Sequence, residues 1–98
     1  MWTAYKGGKE IGNIGSENGV IVFDEEYDVK ARITVEECER YHTITVGLYG
    51  VMVHTAFCGR EEYEEMVRNM KVDIEEFYSK EHSLSEESGF CRMFYRKY

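Results

Sequence analysis

The chain has 98 residues, of which 43% are apolar and 32% charged, a balance typical of one folded domain and not of a disordered segment. Nineteen acidic residues against twelve basic ones give a formal net charge of −7, which disfavours nucleic-acid and anionic-membrane partners. No apolar stretch has the length of a signal peptide or a membrane span, so we expect a cytoplasmic protein.

The first part of the chain predicts little regular structure before the first strand. Residues 1–9 are polar and contain glycine, so we expect a mobile start. Asn18-Gly19 is a strong signal for a hairpin turn, and it precedes the apolar run 20–23. A run that is apolar at every position predicts a strand covered on both faces. The acidic stretch 24–28 is predicted to be a solvated turn that ends this strand.

Three later stretches alternate apolar and polar residues with a period of two, which predicts three strands. They are residues 31–35, 44–48 and 51–57. We expect a four-residue connection at 37–40 and a two-residue turn at Tyr49-Gly50. The cross-strand pairs are then Ile33 with Ile44, Ala31 with Val46, Val46 with Val53, and Leu48 with Val51. Both turns place apolar residues on one face, which favours an antiparallel meander.

Residues 60–80 change to helical periodicity, with Gly59 as the predicted N-cap. Their apolar residues form one stripe: Tyr63, Met66, Val67, Met70, Ile74, Phe77 and Tyr78. The sequence therefore predicts the α+β class, with an antiparallel meander sheet of four to five strands and one long amphipathic helix packed on one face. Residues 1–98 are expected to form a single domain, and residues 81–98 a connector followed by an aromatic and basic tail.

The predicted register leaves one face of the sheet pointing away from the helix. Its residues are weakly charged and half apolar: Thr43, Thr45, Met52, His54 and Ala56. The aromatic tail adds Phe90, Phe94 and Tyr95. We interpret this set as a candidate interaction surface for a protein partner, for a second copy of the chain, or for the chain's own tail. A solvent-exposed face of β-branched residues without a partner is an equally open alternative.

Cysteine and histidine residues offer the main candidates for chemistry. The spacing of Cys38, His42, His54 and Cys58 resembles a zinc-ligand set, but the predicted register puts His42 on the opposite face from His54 and Cys58. His54 and Cys58 are four residues apart on a strand, about 13 Å, which is too far for a Cys/His nucleophile pair. With Cys91 the cysteines are odd in number, so we expect reduced thiols. The sequence predicts no catalytic residue, metal ligand or cofactor.

These observations favour a small non-enzymatic protein-interaction domain, acting on a protein partner or as a homodimer. One alternative is a small-molecule binder or minor enzyme with a pocket between helix and sheet, near Tyr41, His54 or Cys58. Another is a toxin-neutralising immunity-type protein, because in size, acidity and α+β build the chain is similar to small bacterial proteins of that kind.

Overall fold

The computed structural model describes residues 1–98 and contains five strands, two α-helices and one short 3-10 turn, Tyr5–Gly8. The strands are β1 Trp2–Ala4, β2 Val20–Tyr27, β3 Ala31–Glu37, β4 His42–Leu48 and β5 Met52–Cys58, and the helices are α1 Tyr63–Tyr78 and α2 Leu84–Lys97. All five strands form one antiparallel sheet in chain order, which confirms the predicted α+β class and meander. Neither helix combines the length and hydrophobicity needed to cross a bilayer.

The hydrophobic core lies between one face of the sheet and α1. Strands β3 and β4 contribute side chains with no solvent exposure: Ala31, Ile33, Val35, Ile44 and Val46. Helix α1 contributes residues that recur every three or four positions: Val67, Met70, Ile74 and Phe77. Except for Ala31, each such buried side chain stabilises the fold by about 1.5–3 kcal/mol relative to an exposed one. The predicted stripe on the long helix is therefore the packing face of α1.

The β3–β4 hairpin has the predicted loop length but a different register. Ile33 faces Val46 and Val35 faces Ile44, because the four connecting residues are 38–41 and not 37–40. The pairing is displaced by two residues, and a displacement of two leaves every side chain on its original face. The predicted pairs were wrong, whereas the predicted buried face of these two strands is correct.

The β4–β5 hairpin reverses the predicted faces of β5. Its turn contains three residues, 49–51, since Leu48 pairs with Met52 and the Val51 N–H donates to the Leu48 carbonyl at 2.8 Å. Gly50 has φ +76°, a left-handed conformation that suits a three-residue hairpin loop. One extra residue turns the whole strand over, so Met52 is buried and Val53 is exposed. The prediction that Val53 faces the helix was wrong.

Residues 84–97 form helix α2 where the sequence analysis expected a connector and a tail. Ser83 is the N-cap: its hydroxyl accepts from the Glu86 N–H, and the Glu86 carboxylate accepts from the Ser83 N–H, a capping box. Phe94 is fully buried, and Lys97 and Tyr98 both donate to Asp73 of α1. The aromatic segment therefore packs beside α1 on the helix-covered face and does not cover the other face of the sheet.

The N-terminal segment is built into the sheet, although the sequence analysis expected residues 1–9 to be mobile. Trp2 pairs with Tyr27, and a single bridge joins Ile14 to Val20 around the predicted Asn18-Gly19 turn. The acidic stretch 24–28 differs from the predicted turn, because β2 continues as far as Tyr27. Strand β2 is longer than predicted because it pairs with β1 at the edge of the sheet and because one of its acidic side chains forms the ion pair described below.

Candidate functional site

The face of the sheet away from the helices, called the open face below, is covered over only half of its width. Residues 5–19 return across β2 and β3: the Tyr5 ring lies 3.6 Å from the Arg32 guanidinium carbon, and the N–H groups of Glu17 and Gly19 donate to Glu36. Strand β5 remains exposed on this face, with Val53 70% and Phe57 63% accessible to solvent. The open face thus divides into a polar covered half and an apolar uncovered half.

The covered half contains an ion pair between a buried acid and a partly buried arginine. Arg32 donates two hydrogen bonds of 2.8 Å to the Asp24 carboxylate, which is also an acceptor for the Thr34 hydroxyl at 3.0 Å. These bonds to Asp24 raise the pKa of Arg32 above its ordinary value. A bidentate pair of this kind is strong and directional. The charge of Arg32 is therefore already neutralised by a neighbouring strand.

Glu36 is a second buried acid on the open face, and no cation pairs with it. Its carboxylate accepts backbone N–H bonds from Glu17 and Gly19, both at 3.0 Å. Backbone donors can stabilise a carboxylate in this way, as they do at helix N-caps. We conclude that Glu36 anchors the returning N-terminal segment to the sheet.

A cleft of about 620 Å³ lies on the open face, between the N-terminal segment and the β4–β5 turn. Gly47 is part of its floor, and a Cβ atom there would meet no atom within 4 Å. The charged groups along the floor are already bonded within the protein, as described for Arg32 and Glu36. Between α1 and the centre of the sheet, side chains with no solvent exposure, including Ile33 and Met70, leave no such cleft. Smaller clefts lie at the margins, about 550 Å³ between α2 and the start of β5 and about 290 Å³ between α1 and β2.

The uncovered half centres on β5, the last strand of the sheet. Its outer edge has no neighbouring strand, and none of its seven residues is Asp, Glu, Lys or Arg. Natural proteins protect such edges with lysine, proline, bulges or a covering element. At this edge the Tyr95 hydroxyl of α2 donates to the Val53 carbonyl at 3.3 Å. The opposite edge, β1, has only three residues.

The hydrogen bond from Tyr95 shows which peptide groups of β5 point outward. The Val53 carbonyl faces away from β4, and in an antiparallel ladder alternate residues share the same orientation. Thr55 and Phe57 therefore also present their backbone N–H and C=O groups to the outside. Tyr41 packs beside Phe57, with 5.6 Å between ring centroids. We call Tyr41, Val53, Thr55 and Phe57, with these peptide groups, the edge surface.

No family model, no curated protein and no solved structure matches this chain at a significant level.

The predicted interaction surface is not a continuous face. Thr43 and Thr45 lie on the open face, as expected, but Thr43 is fully buried. Met52, His54 and Ala56 lie on the helix-covered side, because the three-residue turn reverses β5. The prediction that Met52, His54 and Ala56 share a face with the two threonines was therefore wrong. Whether any of these residues contacts a partner stays a prediction.

The three predicted tail residues occupy different environments in α2. Phe90 stacks on Phe77 of α1 with ring centroids 4.4 Å apart, and Phe94 lies in the core. Tyr95 is exposed and packs against His54, with 4.9 Å between ring centroids. Of the three, only Tyr95 reaches the edge surface.

Val53 and Phe57 are the most exposed large apolar residues of the sheet strands, and their exposure is not predicted from the sequence. The available signals were the uncharged strand 52–58 and the glycine at position 50, which permits a three-residue turn. A two-residue turn fits the same residues, so the pattern alone does not select between the two registers.

His54 and Cys58 also lie on the face opposite to the predicted one. His42 pairs with Cys58 in the β4–β5 ladder, so the predicted separation of these two side chains was wrong. No three His, Cys, Asp or Glu side chains lie close enough together to hold a metal ion. All three cysteines are free, and burial raises the pKa of each thiol, Cys38, Cys58 and Cys91. Raised pKa values keep these thiols protonated at neutral pH and weaken them as nucleophiles.

Proposed function

We propose that this chain is a non-enzymatic protein-interaction domain and that the edge surface is its contact site. The observation that carries the proposal is the exposure of Val53 and Phe57 along an unpaired, uncharged edge strand. An added strand would gain main-chain hydrogen bonds from the outward peptide groups, and alternate side chains would give specificity. The fitting partner is an extended segment with uncharged, partly apolar side chains.

Electrostatics support strand addition at β5 over contact elsewhere on the chain. The net charge is −7, so most other surfaces would repel an acidic partner. Burying β5 requires no charged group of the strand to lose water, and such desolvation is a large cost at many interfaces. The apolar side chains of Tyr41, Val53 and Phe57 leave water at the same time, which favours association.

The proposal is tested with Val53→Lys and Phe57→Lys, which place charge in the edge surface without changing the core. Val72→Lys is the matched control, since Val72 is 58% exposed and lies on α1, which packs against β3 and β4. Candidates retained from a lysate by the wild-type chain are purified and titrated by calorimetry against all four proteins. We expect each edge variant to weaken binding at least about tenfold, and the control to bind normally. Equal binding by the wild type and both edge variants would refute the proposed site.

The immunity-type alternative is favoured by a different feature, the exposed glutamates 61, 62, 64 and 65 around the start of α1. It calls for a basic partner whose affinity falls steeply with added salt, because exposed charges are screened. Strand addition at β5 would survive the same salt. Binding that is lost in salt and unaffected by Phe57→Lys would favour the immunity-type alternative over the edge surface.

A further inference from the structure

We infer that the strand added at the edge surface is β5 of a second copy, which gives a two-fold homodimer. This inference rests on the proposed function and names its partner. Five strands from each copy would join into one continuous antiparallel sheet of ten. An edge that pairs with itself in this way is an isologous interface, the commonest kind in homodimers.

Antiparallel pairing of β5 with itself has a self-complementary register centred on Thr55. Thr55 then faces Thr55 of the second copy, and Val53 faces the second copy's Phe57. Three outward-facing residues in each copy supply about six main-chain hydrogen bonds across the junction. A β-branched residue opposite an aromatic one is a favourable cross-strand pair. The exposed side chains of each copy therefore cover those of the other on the open face.

The charge pattern permits this pairing although each copy is strongly acidic. Positions 52–58 contain no charged residue, so the register opposes no like charges across the axis. Like charges at both exposed positions, 53 and 57, would create such a conflict. Strand β5 is thus suited to meeting an identical strand in a chain of net charge −7.

Helix α2 does not have to move for the two strands to meet. Tyr95 uses one lone pair of the Val53 carbonyl, and the second lone pair can accept an N–H from the second copy. The bond from Tyr95 holds that carbonyl in its outward direction. We therefore expect Tyr95 to remain hydrogen-bonded in the dimer.

Growth should stop at two copies, because the sheet has only one long edge. The other edge, β1, has three residues and leads directly into the turn Tyr5–Gly8. Once the two β5 edges have paired, no comparable edge remains for a third copy. The pairing therefore closes as a dimer and does not extend into a filament.

The test uses two double variants of the full chain, Val53→Lys with Phe57→Lys, and Val53→Glu with Phe57→Glu. In the inferred register, position 53 faces position 57 of the second copy. Two copies of the same double variant therefore place like charges opposite each other, whereas a mixture places lysine opposite glutamate. Sedimentation velocity over a wide concentration range should show a wild-type dimer and at least about tenfold weaker dimers for each double variant alone. An equimolar mixture should recover a heterodimer.

The outcomes separate this inference from the proposed function. Wild-type chain that stays monomeric at every concentration overturns the homodimer, and the proposed function still stands if a foreign partner depends on Phe57. The register is overturned if the double variants dimerise like the wild type, or if their equimolar mixture forms no heterodimer. If circular dichroism shows a double variant unfolded, Thr55→Lys gives the same test, since it sets lysine against lysine at the axis. Retained wild-type dimerisation by folded Thr55→Lys would overturn the inference.

Discussion

Asp24 and Glu36 are acidic side chains that the sheet buries almost completely, each at 1% exposure. Asp24 is neutralised by the Arg32 guanidinium, whereas Glu36 is held by two backbone N–H groups of the N-terminal segment. Because both acids point toward the open face, they connect the N-terminal segment and β2 to the centre of the sheet. The polar side chains in the covered half of the open face therefore serve to stabilise the fold.

Replacing Asp24 with asparagine should show how much this pair contributes. The change leaves the partly buried Arg32 without its counter-charge, so we expect a loss of about 3–5 kcal/mol in the free energy of unfolding. Asp28→Asn is the control, since Asp28 is exposed and pairs only with the N-terminal amine, and should cost less than about 1 kcal/mol. Urea denaturation monitored by circular dichroism measures both. A similar small loss for the two variants would contradict the assigned role of Asp24.

At the scale of elements, the turn between β4 and β5 decides which side chains reach the surface. The strands themselves are set by local periodicity, but the orientation of β5 depends on whether two or three residues lie between Leu48 and the next paired residue. Gly50, in the left-handed conformation, allows three. The exposed edge surface is therefore a consequence of one turn.

Alanine substitutions at two glycines should separate backbone strain from available space. Gly50→Ala introduces a side chain at φ +76° and should destabilise the fold by about 1 kcal/mol. Gly47→Ala lies within β4, where a Cβ atom meets nothing within 4 Å, and should stabilise it by about 0.4–1 kcal/mol. Thermal unfolding of both variants checks the opposite signs. A melting temperature of Gly50→Ala at or above that of the wild type would contradict the left-handed conformation in the three-residue turn.

The second helix is an element whose signal was present in the sequence. Ser83-Leu84-Ser85-Glu86 has the spacing of a capping box, and Phe90 and Phe94 are one helical turn apart. Glycine at position 89 and the serines around it favoured a connector. Burial of Phe94 outweighs those weak local preferences, as tertiary packing commonly does.

At the scale of the whole molecule, one face of the sheet is closed by two helices and one long edge is left unpaired. If the chain dimerises through β5, the melting temperature should rise with protein concentration, because association stabilises the folded state. Differential scanning calorimetry of the wild type and of Val53→Lys/Phe57→Lys over the same concentrations measures this dependence. We expect the melting temperature to rise with protein concentration in the wild type alone. An equally concentration-dependent melting temperature in the double variant would place any association outside the edge surface.

The sequence by itself determined the α+β class, the chain-order meander, the buried faces of β3 and β4, and the packing stripe of α1. These features follow from hydrophobic periodicity, which is a property of neighbouring residues. Only the tertiary structure decided that Val53 and Phe57 are exposed, that α2 packs beside α1, and that the edge of β5 is open. Those features depend on the length of one turn and on packing between distant segments, and a local pattern carries little information about either.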